Sequence, residues 1–488
     1  MTAPKEGKHA MLELSNFYID GRWTPSASTA SHTLIDATTE QPFGTVALAG
    51  KAEVDAAVMA AKRAFPAWAE SDPEARIALV RRIHDIYTGR VEEMARVISQ
   101  EMGAPIELAR TRQAAAGLRH MTSFLTAMEH FDFVRPLGPH APDDRILMQP
   151  IGVVGLITPW NWPMSQVALK VIPALLAGCT MVLKPSELAP LSSNLLAEII
   201  HEAGAPAGVF NLVQGDGATA GARLVEHPDV AMISFTGSTR AGASIMRGAA
   251  DSFKRVALEL GGKGANLIFA DADEDAVARG VRQCFINSGQ NCNAPTRMLV
   301  ERSVYETAVE KARDAANAIA VGPSSAEGAH MGPVISKGQF DKIQDLIETG
   351  IREGARLVAG GAGLPAGFNR GYFVQPTVFA DVDNAMTIAR EEIFGPVLSI
   401  IPFADEEEAV AIANDTHYGL TNYVQSGDGA RRNRLARRLR SGMVEMNGQP
   451  RGAGSPFGGV GHSGGAREGG VWGLEEYMTV KSVSGWSS

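Results

Sequence analysis

Cysteine is scarce in this chain: three in 488 residues, Cys179, Cys284 and Cys292. An odd count without a CxxC pair argues against a disulfide framework and against a zinc site, and it fits a reducing compartment in which thiols stay free. No metal is expected. Positive charge is also in deficit, with 45 Lys and Arg against 54 Asp and Glu and a formal net charge of −9. The basic footprint of a nucleic-acid binder is therefore missing. Long apolar runs are missing too. The stretch from Pro173 to Leu183 is too short to span a bilayer and is interrupted by Gly and Thr. The opening residues, MTAPKEGKHAMLELSN, hold no apolar core and no cleavage pattern. The expectation is a cytoplasmic protein with no membrane partner and no nucleic-acid partner. There is no internal repeat and no low-complexity tract.

Hydrophobic residues at 45% and charged residues at 20% are ordinary for a globular protein, and the length suffices for several domains. In FYIDGRW, Asp20-Gly21 between aromatic and β-branched residues predicts a hairpin turn. Residues 52 to about 130 carry apolar side chains at three- and four-residue spacing and predict helices, with Pro73 near one start and Gly103 near one end. From Ile151 the pattern alternates. VVGLIT, TMVLKPS, GVFNLVQG and VAMISFTGS read as buried strands. Between them lie helices over about Ser165 to Leu176, over SSNLLAEIIHEAG with a Ser cap and Gly204 at its end, and over ATAGARLVEH. Such alternation predicts an α/β, doubly wound parallel sheet that binds ligands beyond the carboxyl ends of its strands. A second α/β pattern begins near Arg255 and continues to about Arg440. The run RRNRLARRLR (431–440) reads as a helix with Leu435 and Leu439 inward and the arginines solvated, rather than as a nucleic-acid patch.

Cys292 lies in FINSGQNCNAPTR, where Gly289 and Pro295 break helix and place the thiol on a constrained loop among Gln290, Asn291 and Asn293. Taken alone it is either a small buried residue or a nucleophile. Cys179, in an apolar run, and Cys284, on the preceding helix, read as core. A nucleophilic thiol needs a base, since its ordinary pKa is near 8.5. Glu259, at a strand end before two glycines, is a candidate; a solvated turn residue is the alternative. Asn161, in ITPWNWPM, is either an oxyanion donor or a loop-stabilising amide. FTGSTRAG (235–242) follows a strand and opens a helix, which suits a pyrophosphate. In KPSE, Glu187 suits ribose hydroxyls with Lys184 beside it. GDGATAG (215–221) fails the dinucleotide fingerprint, because no acidic residue lies about 20 positions on, where Phe235 stands. It reads as a structural turn. In EEIFGP, Phe394 offers a ring for a nicotinamide face or for core packing.

In chain order, PWN, KPSE, FTGS, ELGGK, GQNC, EEIFGP and PFGG resemble the aldehyde dehydrogenase superfamily, of the NAD(P)-dependent, hydrolytic type, and the resemblance runs from FYIDGRW to EYMTVKSV. It implies Cys292 as nucleophile, Glu259 as general base and Asn161 as oxyanion donor, with Lys184 as a fourth catalytic residue. The implied chemistry is addition of the Cys292 thiolate to the aldehyde, hydride loss to nicotinamide, and hydrolysis of the resulting thioester by water that Glu259 activates. By position, Ile157, Trp160, Lys184, Glu187 and Phe235 would contact the cofactor, as would Gly237, Ser238, Leu260, Glu392 and Phe394. Glu187 implies a preference for NAD, with NADP possible because Lys184 is adjacent. The substrate walls would include Trp162, Gln166, Leu169 and Ile286, together with Asn291, Asn293, Arg451 and Phe457. Trp162 and Phe457 suit an apolar or aromatic aldehyde. Arg451 is either a carboxylate anchor or an exposed rim residue.

The resemblance also implies a Rossmann-like cofactor domain (1–131 and 151–258), a catalytic α/β domain (259–455) and a small β arm (132–150 and 474–488) that mediates a homodimer or homotetramer. One departure stands out: where relatives often carry PFGGxKxSG, this chain reads PFGGVGHSGG, without the Lys. A coenzyme A-acylating semialdehyde dehydrogenase and a redox-free thiol esterase remain open alternatives.

Overall fold

Residues 11–486 are described by a computed structural model. The outermost residues of the first and last expected segments, 1–10 and 487–488, lie outside the described residues, and with them most of the opening stretch read for a targeting signal. Asp20 and Gly21 take left-handed backbone (φ 54° and 76°) and close the expected hairpin, pairing Ile19 with Arg22. The helices expected from residue 52 onward run Lys51–Ala69, Pro73–Gly89, Val91–Met102 and Ala115–Met128. Asp72 caps the second by accepting from the Glu74 N–H at 3.0 Å, and left-handed Gly103 ends the third.

Two seven-stranded sheets organise the molecule. In the first, Arg255–Glu259, Met232–Thr236, Val153–Ile157, Thr180–Lys184 and Phe210–Leu212 lie side by side in parallel, and the hairpin strands Asn16–Ile19 and Arg22–Pro25 complete one edge. The central strands are buried throughout, which is why they read as unbroken apolar runs rather than alternating ones. From Val153–Ile157 the chain steps outward through Thr180–Lys184 and Phe210–Leu212. It then returns to the other side as Met232–Thr236. The sheet therefore switches direction beside Val153–Ile157, and the segments Thr158–Asn161 and Gly237–Ser238 leave its carboxyl edge at that crevice.

The second sheet runs Arg356–Ala359, Thr377–Ala380, Val397–Phe403, Arg297–Glu301, Ala265–Ile268, Thr421–Gln425, Met443–Met446, with only the first strand antiparallel. The α/β pattern thus starts one strand later than expected: Arg255–Glu259 pairs with Met232–Thr236 in the first sheet, and Ala265 opens the second. Apolar character alone does not say which neighbour a buried strand pairs with. Residues 260–264 join the carboxyl edge of the first sheet to the amino edge of the second. A separate antiparallel sheet joins Val134–Gly138, Ala141–Pro150 and Met478–Val483. The helix Gly429–Arg438 buries Leu435, while Arg431, Arg434 and Arg438 pair with Asp271, Glu406 and Glu407.

One cap differs from expectation. The helix Leu191–Glu202 has no side-chain cap of its own, and the Ser192 and Ser193 hydroxyls are buried without partners. Glu101, from a distant helix, accepts instead from the Leu191 N–H at 2.6 Å and the Ser192 N–H at 3.2 Å. Burial pushes this carboxyl from its ordinary 4.5 up to about 7. A raised folded-state value means the folded chain binds the proton more tightly. The stability from that proton is complete below about 4.5 and fades as the pH climbs through about 7. Glu101→Ala removes the cap and is expected to lower stability by about 1–2 kcal/mol. The deficit, read as a drop in urea midpoint, should be larger at acid pH than at pH 8.

Candidate active site

The site lies in the seam between the two sheets. The helix Ala276–Phe285 ends in three successive left-handed residues, Asn287, Ser288 and Gly289 (φ 55°, 56° and 73°). Two of them are not glycine, a strained arrangement that persists only when the surroundings fix it. Here they do. Asn287 accepts from the Gln113 amide at 2.9 Å and donates to the Asn161 carbonyl at 2.8 Å, and the Ser288 hydroxyl donates to the Gly332 carbonyl at 2.7 Å. Gln290 donates to the Asn287 carbonyl at 3.1 Å and accepts from the Ile335 N–H at 3.0 Å. Asn291 donates to the Ile286 carbonyl at 2.7 Å, and its side-chain oxygen accepts from the Trp162 indole N–H. The loop therefore delivers Cys292 on a rigid support. Its carbonyl crowds Gly262, where a Cβ would stand 2.4 Å from it, so the nucleophile loop packs directly on the link between the sheets.

Cys292 is the one partly exposed cysteine; Cys179 and Cys284 are buried, as expected. Desolvation and the carboxylates of Glu392 and Glu259 push its thiol up to about 12, against a weaker pull from Arg451. The resting sulfur is thus a thiol at neutral pH and needs its proton removed.

Glu259 ends its strand at 2% exposure with neither carboxylate oxygen hydrogen-bonded. It faces a small cavity shared with Lys170, Glu468 and Tyr477. Lys170 donates to Glu468 at 2.6 Å and to the Ser234 hydroxyl at 3.0 Å. Burial first, then the Glu468 charge, hold the Glu259 carboxyl well above the usual range, and Lys170 opposes them. Asn161 is also buried, and its amide donates to the Gln290 carbonyl at 3.0 Å, two residues before the thiol. Its second amide hydrogen has no acceptor among the described residues.

The residues expected around a cofactor lie mostly at the carboxyl edge of the first sheet, with Glu392 and Phe394 brought to it by contacts with Gly262 and Trp160. Ser238 caps the helix Thr239–Ala249 by accepting from the Ala241 N–H at 3.3 Å, and Gly237 precedes it at the carboxyl end of Met232–Thr236. Phe235 packs against Gly237, and Leu260 against Gly242 of that helix. Buried Lys184 donates to the Gly215 carbonyl at 2.6 Å and stands 3.6 Å from Glu187, whose side chain is 31% exposed. Phe394 meets Trp160 edge-on at 5.5 Å, and the Glu392 carboxylate accepts from the Gly262 N–H at 2.8 Å. Ile157 ends the central strand, and the hydroxyls of Thr158 and Thr236, at the mouth of the crevice, are buried without partners. A nucleotide fits such a place: orphaned donors, an open helix N-terminus and a reachable carboxylate. Among the described residues no cluster of three or more His, Cys, Asp or Glu could hold a metal, and no helix is long and apolar enough to cross a membrane.

Of the residues expected to wall the substrate, Trp162 caps the helix Pro163–Ala177 and Leu169 lies on it, and Ile286 and Asn293 flank the thiol loop, with the Asn293 carbonyl accepting from the Tyr423 hydroxyl. Arg451 is exposed, as one of its two readings expected. It bonds Glu445 at 2.9 Å and lies 4.8 Å over the Phe457 ring. Gly461, at the position of the missing Lys, takes φ 61° against the His417 carbonyl, where any Cβ would stand at 2.8 Å.

Two features escaped the sequence reading. Lys170 had a signal: it is the only charge in the largely apolar run PMSQVALKVIPALLA. Its partner Glu468, 298 positions away, had none.

The sequence profile of the Aldehyde dehydrogenase family matches residues 23–483. The 3-succinoylsemialdehyde-pyridine dehydrogenase of a Pseudomonas species is 48% identical over 98% of this chain and 99% of its own length. The crystal structure of an aldehyde dehydrogenase from Bartonella henselae superposes with a TM-score of 0.97 at 56% identity, covering 98% of this chain and 100% of that one. Aldehyde Dehydrogenase C from Pseudomonas syringae, a mutant solved with NAD+ and octanal, gives 0.95 at 45% identity, covering 97% of each chain.

Proposed function

The chain belongs to the aldehyde dehydrogenase family, and we propose that Cys292 is the nucleophile of its NAD-dependent oxidation of an aldehyde to the acid. The activity follows from family and fold; neither transfer to coenzyme A nor redox-free ester hydrolysis has support. What supports the residue assignment is the seam. Asn161 contacts the loop that carries Cys292, and the charge of Glu259 reaches the Cys292 thiol.

The residues then act as follows. Cys292 gives its proton to solvent, which reaches this partly exposed side chain, and its sulfur adds to the aldehyde carbon, forming the C–S bond while the carbonyl electron pair moves to oxygen. The free amide hydrogen of Asn161 and the Cys292 N–H, which has no backbone acceptor, stabilise that oxyanion. Bound NAD supplies the hydride acceptor, and Cys292 is left as a thioester. Glu259 takes a proton from water as the water attacks the thioester carbon, the C–S bond breaks, and the acid departs. A raised carboxyl suits that task, because a base works best with a pKa near the working pH. Phe394, Trp160, Glu392 and the Gly237–Ser238 turn hold the cofactor, with Glu187 at the ribose and Lys184 positioned beside it.

Glu187 favours NAD, since a carboxylate repels a 2′-phosphate. Glu187→Gln is expected to raise NADP turnover relative to NAD by roughly tenfold in kcat/KM, an effect of the size of one removed charge contact; an unchanged ratio would place cofactor discrimination elsewhere. Trp162, Leu169 and Phe457 suit an apolar or aromatic aldehyde, in keeping with the octanal of the Pseudomonas syringae complex and the pyridine compound named for the Pseudomonas relative. Arg451 is already paired with Glu445, which disfavours it as a carboxylate anchor. The chain divides into a cofactor domain (1–131 and 151–258), a catalytic domain (259–455) and an arm (132–150 and 474–488). The arm joins copies into a homodimer or homotetramer, in keeping with exposed Val134, Leu137 and Val480 on its sheet. Three unpaired cysteines fit a cytoplasmic location. The test is NADH formation across aliphatic, aromatic and semialdehyde substrates with each cofactor. Oxidation of apolar aldehydes with NAD is expected, and ester turnover without NADH from any aldehyde would overturn it.

A further inference from the structure

Glu259 is enclosed by a segment whose polar groups the steps at Cys292 do not use. Residues 457–468 fold back over the strand end that carries the base, pairing Gly464 with Glu259 and Phe457 with Glu468. The Ala466 N–H donates to the Leu258 carbonyl at 3.3 Å and the Leu260 N–H to the Ser463 carbonyl at 3.0 Å. The Ser463 hydroxyl donates to the Gly261 carbonyl at 2.7 Å. Gly458 leaves a gap in this cradle. It takes φ 153°, and a Cβ there would stand 2.7 Å from Glu259 Oε1 and 2.9 Å from Arg467 Nη1. Carboxylate and guanidinium therefore border one space that a single methyl would fill.

Arg467 is fixed beside that gap by its own loop. Its Nη1 donates to the Gly459 carbonyl at 2.8 Å and to the Ala466 carbonyl at 2.7 Å, tying the two ends of the glycine-rich turn together. Its backbone N–H donates to Glu476 at 3.1 Å. The charged groups facing Glu259 come from three elements: Lys170 from the helix Pro163–Ala177, Glu468 and Arg467 from the loop, and Glu476 from the end of the helix Gly470–Glu475. Tyr477 and the Cys292 thiol are the other titratable neighbours. Lys170 is paired with Glu468 at 2.6 Å, so these two charges largely cancel at Glu259. Arg467 forms no ion pair among the described residues, and its positive charge is left uncompensated. Neither oxygen of Glu259 accepts a hydrogen bond, so nearby charge alone offsets the cost of burying the carboxylate.

We propose that Arg467 is a positioning residue for the general base: seated on the Gly459 and Ala466 carbonyls, it holds the Glu259 carboxylate in its ionised, proton-accepting form at the Gly458 gap and so sets the pH above which the thioester is hydrolysed. The role rests on the Glu259 assignment above and adds the group that makes a buried carboxylate usable as a base. Arg467 touches neither the aldehyde nor the thioester.

The test follows kcat against pH for the NAD-loaded enzyme with octanal. Arg467→Gln keeps an amide donor for the loop carbonyls and removes the charge. It is expected to move the rising limb to higher pH by about 1 unit or more, the effect of losing an opposite charge at this range, so that kcat below the limb falls roughly tenfold. The NADH burst, which precedes hydrolysis, and the KM for octanal should stay as in the wild type. Arg467→Lys, which restores a cation, should return the limb toward its original place. Should Arg467→Gln not fold, Glu476→Gln removes an anion from beside Arg467 while leaving the guanidinium and its two carbonyls in place, and the limb should move to lower pH. A kcat lowered equally at every pH in Arg467→Gln, with the limb unmoved, marks a merely structural arginine and overturns the proposal. Where only the second variant folds, a limb unmoved or raised in Glu476→Gln does the same. Glu259→Gln distinguishes this failure from failure of the base assignment. If that variant keeps the limb, the limb belongs to another group and Glu259 is not the base; if it loses the limb while Arg467→Gln leaves it unmoved, the base stands and the role of Arg467 falls.

Discussion

Cys292→Ala abolishes aldehyde oxidation: NADH formation is expected to fall by at least about 10⁴-fold, because no other group in the seam can form the covalent intermediate. Cys179 and Cys284 offer no rescue. Both are buried, and burial holds their thiols at about 11 and about 12. The loop should survive the change, since its shape is set by Asn287, Ser288, Gln290 and Asn291 and not by the sulfur. The variant should therefore keep its melting temperature and its affinity for NAD, measured by fluorescence titration. Residual turnover above about one part in a hundred would move the nucleophile to another residue.

Glu259→Gln separates the two halves of the reaction. The first half needs sulfur, the oxyanion donors and the hydride acceptor; the second needs a base for water. Steady-state turnover is expected to drop by about 10²–10⁴-fold, the usual contribution of a general base. A stopped-flow burst of NADH close to one equivalent per active site should remain. The pH profile provides an independent check. Glu259 acts deprotonated, and burial beside Glu468 raises its carboxyl, so wild-type kcat should rise with pH through that raised value. The variant should lose this limb. A burst that vanishes together with the steady state would instead make Glu259 the base for thiol deprotonation.

Local signals read well because they are local. Asp20-Gly21 announces a hairpin since few dipeptides tolerate left-handed backbone at both turn positions. The strand runs VVGLIT and TMVLK stand out because both faces of a parallel sheet are covered. Cys292, Glu259 and Asn161 were recognisable only as members of an ordered set, since each alone has an ordinary structural explanation. What stayed hidden depends on long-range pairing. Glu101 capping a helix ninety positions away, Glu468 facing Lys170, and the placement of Arg255–Glu259 in the first sheet are decided by tertiary contacts. Neither spacing nor periodicity encodes them. Arg451 likewise reads from sequence as a carboxylate anchor or an exposed rim residue, because Glu445 gives no sign of being its partner.

The most direct measurement is the mass of the acyl-enzyme. Glu259→Gln enzyme mixed with NAD and octanal, quenched in acid within the burst, should carry one octanoyl group. Trypsin cleavage after Arg282 and Arg297 releases one peptide that holds both Cys284 and Cys292, so fragment ions must assign the site. The predicted result is an octanoyl thioester on Cys292 in near-stoichiometric yield. A full NADH burst with Cys292 unmodified, or with the acyl group on Cys284, would contradict the account.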